Sequence, residues 1–242
     1  MRILATLVAL LAVAFAAAPL VTSPFSGFTA DQLPNPQIDP PVQPAGYAFS
    51  IWGLIYLWLV VSAVFGAIRR SDAEDWHAAR PALALSLAVG VPWLAIANAS
   101  AIWATVTIFI MAGGAIIALL QAPGRDRWLF AVPVGLYAGW LTAASAVSLA
   151  TTMAGYGIAA DAVTWAYLGI TLALAVALVT STRRPNVPEY LLAVIWALVG
   201  VAVANGAEQI GITTLAAVGI LVLLLTGFRN LRTARQMDRQ PM

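Results

Sequence analysis

The sequence predicts an all-α protein, a polytopic bundle of eight membrane-spanning helices, and three observations carry that prediction. Apolar residues make up 62% of the 242 positions and charged residues only 9%. Apolar runs of about 20 residues, each long enough to cross a bilayer, recur along the whole chain. The loops between those runs sort their charges: all the arginines fall on alternate loops, and the others carry only acids.

The first run, Ile3 to Val21, follows Arg2 and exceeds the length of a signal-peptide core, so it reads as a retained helix. The next 25 residues, Thr22 to Gly46, are rich in Pro, Ser and Gly and include Asp31 and Asp39. Prolines at 34, 36, 40, 41 and 44 keep this loop extended, since each fixes its own φ and steers the preceding residue away from the helical region. A second helix is therefore expected from about Tyr47 to Ile68, ending in Arg69 and Arg70.

The charged stretch Ser71 to Arg80 reads as a solvated loop, with Trp76 and His77 in it. Helices three (about Pro81 to Asn98) and four (about Ala101 to Leu120) have almost no linker and should form a tight antiparallel hairpin. Helix five is expected from about Trp128 to Thr152, helix six from about Val163 to Val179, helix seven from Pro188 to about Ala204 and, after the turn Asn205 to Gln209, helix eight ending near Gly227. A charged, frayed tail should follow from Arg229.

With this division the arginines at 2, 69, 70, 80, 125, 127, 183, 184, 229, 232, 235 and 239 share one side, opposite Asp31, Asp39, Asp161 and Glu208. The positive-inside rule then gives a multi-pass protein of the cell inner (plasma) membrane with both termini cytoplasmic. The net charge of only +2 and its sorting by loop point to topology, and nucleic acid is not an expected partner.

Composition also narrows the chemistry. The chain has no cysteine and no lysine, which removes disulfides, thiolate chemistry and Schiff bases. No ionisable group falls at mid-membrane, where it would be costly and would mark a functional site. Glu189, beside Pro188, suits a helix N-terminus; His77, the single histidine, reads as a solvated loop residue. No metal or cofactor set is visible, and an enzyme is not expected.

What remains is aromatic. Phe49, Trp52 and Tyr56 lie at i, i+3 and i+7, so they share one face of the second helix, a face that could line a cavity or pack on a neighbour. Trp128, Trp103 and Trp165 read as interfacial anchors, whereas Trp52, Trp93 and Trp140 lie within helices, where such rings either stack on a flat ligand or pack. Helix five is the expected centre of the bundle: Gly135, Gly139, Ala143 and Ala144 permit close approach, and Tyr137 and Trp140 add aromatic area at depth.

The segment Ile51-Trp52-Gly53-Leu54-Ile55-Tyr56, reached through a proline-rich loop ending at Pro44, resembles the start of the second helix in the TspO/MBR family, the tryptophan-rich sensory proteins related to the mitochondrial translocator protein. That family has a Trp-x-x-x-Tyr motif there. Its third-helix Asn-x-x-Trp falls on Gly90-Val91-Pro92-Trp93, keeping Trp and losing Asn; its fifth-helix Trp, with Asn eight residues on, falls on Trp140 and Ser148. The resemblance covers about residues 1 to 152 and implies a five-helix core there. Residues 153–228 would then be three additional helices, and 229–242 a cytoplasmic tail.

It further implies a helical cavity for a tetrapyrrole or sterol-like molecule, with Trp52, Tyr56, Trp93 and Trp140 carried over as lining positions. Together with Phe49, Tyr137 and Ser148 these form the candidate ligand-binding set. The expected function is a membrane sensor or receptor that binds a porphyrin-type or other flat apolar ligand; the alternatives are a transporter of a small amphipathic solute and a porphyrin-modifying enzyme. Expected partners are the lipid bilayer, that small molecule and, in a homodimer, a second copy of the chain.

Overall fold

Among the described residues the expected eight candidate spans are reached if one bent helix pair counts as a single span. The computed structural model describes residues 1–237 and, among them, contains only helices as regular structure. Seven helices are long and apolar enough to cross a membrane: α1 (Arg2–Val21), α2 (Ile51–Arg69), α5 (Ala101–Leu120), α6 (Ala131–Gly155), α7 (Ala162–Arg183), α8 (Pro188–Asn205) and α9 (Ile210–Met237). The eighth candidate span is the pair α3 (Glu74–Gly90) and α4 (Trp93–Ala99), bent by 43°. The bend sits at Pro92, which has no N–H to continue the ladder. Ser100 alone separates α4 from α5 and caps α5 by accepting from the Trp103 N–H.

Three sequence expectations need correction. The stretch Ser71 to Arg80 is not a solvated loop, because α3 begins at Glu74, seven residues before Pro81. Glu74 and Asp75 in the first turn complement the helix dipole there. One turn on, Trp76 and Arg80 lie four residues apart and both point inward, each 2% exposed, and His77 is half-buried on the same helix. The third helix is broken at Pro92 instead of running evenly to Asn98. The last helix does not end near Gly227 but continues through Arg229 to Met237; Asp238, Arg239 and the rest of the tail lie outside the described residues.

The helix α6 is the axis of the bundle, buried over nearly its whole length and packed against α2, α5, α7 and α8. Its approach to α8 is closest at Gly139, where even a Cβ would overlap the Tyr190 carbonyl oxygen and come within 2.9 Å of the Ala193 Cβ. Buried hydroxyls connect the same helices. Ser86 donates to the Met111 carbonyl and meets the Tyr137 hydroxyl at 3.0 Å; Thr142 meets the Tyr190 hydroxyl at 3.0 Å.

The arginine-bearing end is tied by charge. Arg70 bonds Asp126 through two nitrogens, at 2.7 and 3.1 Å, and the Trp76 indole donates to the same carboxylate. The Arg70 guanidinium holds the Asp126 carboxyl below its ordinary pKa, as Arg2 does for Asp72. Arg127 bonds both oxygens of Glu189 at the start of α8. Among the described residues Arg80 pairs with no carboxylate: its guanidinium donates to the carbonyls of Gly66, Arg70 and Ser71, closing the C-terminal end of α2.

Candidate functional site

At the opposite end of the bundle a cavity of about 290 Å³ is enclosed by seven segments. Phe15 and Pro19 come from α1, Trp52 and Tyr56 from α2, Trp93 and Leu94 from α4, and Ile108 and Met111 from α5. The helix α6 contributes Trp140, Ala143, Ala144, Val147, Ser148 and Thr151, and α8 contributes Ala197. The loop before α2 closes the outer side with Pro24, Phe25, Phe28, Gln43, Pro44 and, from its last turn, Phe49. The cavity reaches inward to Phe15, Tyr56, Met111 and Trp140, so it occupies the half of the bundle remote from the arginines.

Local chain chemistry explains the arrangement. After Pro44 the chain winds into one 3-10 turn, Gly46–Ser50, before α2, which brings Phe49 onto the same side as Trp52 and Tyr56. That turn is fastened from α8: the Trp196 indole donates to the Ala48 carbonyl, the Ala45 N–H donates to the Gly200 carbonyl, and the Asn205 amide donates to the Pro41 carbonyl. At Gly200 an added Cβ would come within 2.8 Å of Pro44, so only glycine lets the loop sit this close.

The rings pack as an edge-to-face set around the space. Trp52 and Tyr56 are stacked, with centroids 5.1 Å apart, and Phe15 meets both edge-on at 5.8 and 5.0 Å. Trp140 stands nearly perpendicular to Trp52 at 6.2 Å and to Phe49 at 5.8 Å, and Phe25 packs edge-on to Trp93 at 5.3 Å. Such contacts fix the rings without filling the space between them.

Six of the seven candidate residues, Phe49, Trp52, Tyr56, Trp93, Trp140 and Ser148, line this one cavity. Tyr137 does not. It is fully buried behind the wall, packed on Phe15 and Trp52, with its hydroxyl engaged by Ser86, so it supports the lining rings. Ser148 is already bonded to Thr105 at 2.7 Å, and the Trp93 indole donates to the Ala104 carbonyl.

Sequence reasoning did not find Phe15, Phe25, Phe28, Met111, Thr151 or Ala197. Phe15 sits in a helix apolar all round, and Phe25 and Phe28 lie in an irregular loop; the one available signal was that both phenylalanines precede the proline run that leads into Trp52. The tryptophans read as interfacial behave as such in part. Trp128 and Trp103 are 62% and 63% exposed, Trp128 under the Arg127 guanidinium, while Trp165 is half-buried and bonded to the Ile158 carbonyl.

No acid, histidine or arginine lines the cavity. Among the described residues no group of three or more His, Asp or Glu is gathered where it could hold a metal ion. The arrangement can therefore bind through apolar area, ring faces and a few hydroxyl or amide groups.

Comparison with curated proteins and with solved structures yields no match for the chain. The sequence model of one family, described as TSPO-like protein, matches residues 2–228, a stretch that runs from α1 into α9. An all-helical bundle of apolar helices agrees with that match, and the chain belongs to the TSPO-like protein family.

Proposed function

We propose that this chain is a non-catalytic membrane receptor or sensor that binds a porphyrin-type or other flat apolar ligand in the cavity between α1, α2, α5 and α6. The observation that carries the reading is the pair Trp52 and Trp140, perpendicular rings 6.2 Å apart on different helices, both lining a space with no charged side chain. A flat apolar molecule would gain from burial of its area and from stacking on one ring while meeting the other edge-on. At about 290 Å³ the space is just below the usual range for small-molecule sites, so a large ring system would have to widen it.

In this reading the first five spans form the binding unit and the last three brace it, with α8 holding the loop at Ala45, Ala48 and Pro41. Both termini would be cytoplasmic, the arginine-bearing end facing inward. A cysteine placed at Ser26 should then react with an impermeant reagent only from outside the cell and one at Ser71 only from inside; the reverse pattern contradicts the orientation.

Transport is the second reading, and one observation favours it: Ala197 of α8 lines the cavity, so a helix beyond the first five borders the space. The two are separated by reconstituting the protein in vesicles with a panel of tetrapyrroles and sterols. A receptor saturates with a fixed stoichiometry and leaves the internal concentration unchanged, whereas protein-dependent flux would replace the receptor reading with the transport one.

A further inference from the structure

We infer that the end of α7 is a headgroup site for an anionic phospholipid: Arg183 and Arg184 hold the phosphate, and the acyl chains lie along the lipid-facing sides of α5 and α7. The site is at the end of the bundle opposite the aromatic cavity and does not depend on what that cavity binds.

Charge at the arginine-bearing end is balanced unevenly. Asp72, Asp75, Asp126 and Glu189 are matched to Arg2, Arg125, Arg70 and Arg127, and Arg80 is taken up by three carbonyls. Arg183 and Arg184 stand outside that set, and among the described residues neither meets a carboxylate. The helices around them offer none: α5, α7 and α9 contain no Asp or Glu. At this end the Asn230 amide donates to the Ser181 carbonyl at 3.1 Å, which brings α9, with its Arg229 and Arg232, beside α7. The corner is therefore positive, and a phosphate there meets no opposing acid on these three helices.

Arg184 is the more constrained of the pair. It is half-buried past the C-terminal end of α7, donates to the Ala122 carbonyl just beyond α5, and has its Nε enclosed without a partner. A guanidinium carries five N–H donors in a fork suited to phosphate. A cation partly withdrawn from water with no counter-ion is costly, and an anion set against its exposed part offsets that cost through charge, without reaching Nε. Arg183, the preceding residue, is exposed and supplies the second cation.

Beside these cations the surface suits acyl chains. Leu168, Leu172 and Val179 are exposed on α7 at i, i+4 and i+11, so they form one stripe, and it ends at Arg183. Val106, Ile110 and Ile117 make the same spacing on α5, in a stripe that ends at Gln121, next to Ala122. Both helices pack on α6, and the Arg184 to Ala122 contact joins their ends. Ends of spanning helices lie at headgroup level, so polar and apolar parts of one lipid are met at the depths where they occur.

In the test, the full-length protein in a neutral detergent is titrated with phosphatidylglycerol or with phosphatidylcholine of the same chains, and bound lipid is counted by native mass spectrometry. Each arginine near an anionic headgroup contributes about a factor of five in affinity, so phosphatidylglycerol should bind at least about tenfold more tightly. Arg183→Gln and Arg184→Gln should each cut that preference by about fivefold, whereas Arg184→Lys, which keeps the charge, should retain most of it. Because Arg183 is exposed, its variant reads the site even where Arg184→Gln fails to fold. Arg69→Gln is the control: it removes an exposed cation at the same end, from a stretch shared with Asp72 and Glu74, and should leave the preference unchanged. Equal affinity for the two lipids, a preference that Arg183→Gln and Arg184→Gln do not lower, or an equal fall in Arg69→Gln would overturn the inference. Displacement of phosphatidylglycerol by inorganic phosphate at the same concentration would overturn it too, by making the site one for a soluble anion.

Discussion

Replacing Gly139 by leucine is expected to lower the melting temperature of the detergent-solubilised protein by about 10 °C. The reasoning starts at the α6–α8 contact, where there is no room even for one carbon beyond the glycine Cα, because the Tyr190 carbonyl of α8 occupies the Cβ position. Backbone carbonyls do not swing aside as side chains do, so α8 must move as a unit. Moving it strains the Tyr190 to Thr142 contact and the Glu189 to Arg127 pair at the same end. Overpacking of a helical core costs about 1–3 kcal/mol and occasionally more, and in a chain of this size each kcal/mol shifts the transition by about 2–4 °C. Gly139→Ala should show a smaller loss of the same sign. Gly53→Ala is the control: its Cβ would meet nothing within 4 Å, and the change should be neutral or slightly stabilising. An unchanged transition for Gly139→Leu would mean that α6 and α8 are not in contact there.

Arg80→Met should cost about 3 kcal/mol, with Arg80→Lys falling between it and the native protein. The methionine fills much of the same volume, so the loss isolates the polar contacts. Three carbonyls, of Gly66, Arg70 and Ser71, would lose their guanidinium donor at the C-terminal end of α2, and a cation that complements the helix dipole would be gone. Removing a buried cation also recovers its desolvation cost, which is why the expected loss is that of about two unsatisfied carbonyls and not three. Lysine keeps the charge but cannot fork to three oxygens at once. Thermal unfolding of the three proteins in one detergent checks the order; a methionine variant as stable as the native chain would show that the carbonyls are satisfied by water.

The number and rough placement of the long apolar helices could be read from the chain because crossing lipid imposes a length that is written in composition. The faces of those spans were harder. In a bilayer the lipid-facing and core-facing sides of a helix are equally apolar, so nothing in the α1 sequence separates Phe15, a wall of the cavity, from Leu10, 64% exposed. Spacing succeeded where aromatics were sparse enough to stand out, as with Phe49, Trp52 and Tyr56. It misled at Tyr137, whose depth suggested a lining role but whose hydroxyl is taken up by Ser86.

Charge misled at Ser71 to Arg80. A run of charged residues before a proline resembles a solvated loop, yet Trp76 and Arg80 find partners in Asp126 and the end of α2, contacts 50 and about 10 residues away in the chain that no local pattern announces. Ala197 and Gly200 were invisible for the same reason: small residues in an apolar helix carry no signal until a loop is seen to rest on them.

The central claim is that the aromatic cavity is the ligand site, and the most direct measurement is a comparative titration. Protoporphyrin is added to native protein and to the Trp52→Ala, Trp140→Ala and Trp128→Ala variants, each first shown to be folded, and affinity is read from quenching of the remaining tryptophans. Each cavity indole offers stacking worth about 0.5–1.5 kcal/mol beyond the area it buries, so Trp52→Ala and Trp140→Ala should each weaken binding by about tenfold or more. Trp128 lies at the far end of the bundle, 62% exposed, and its loss should leave affinity unchanged. Equal affinities in all four proteins would show that Trp52 and Trp140 are packing residues and that the cavity is not where the ligand binds.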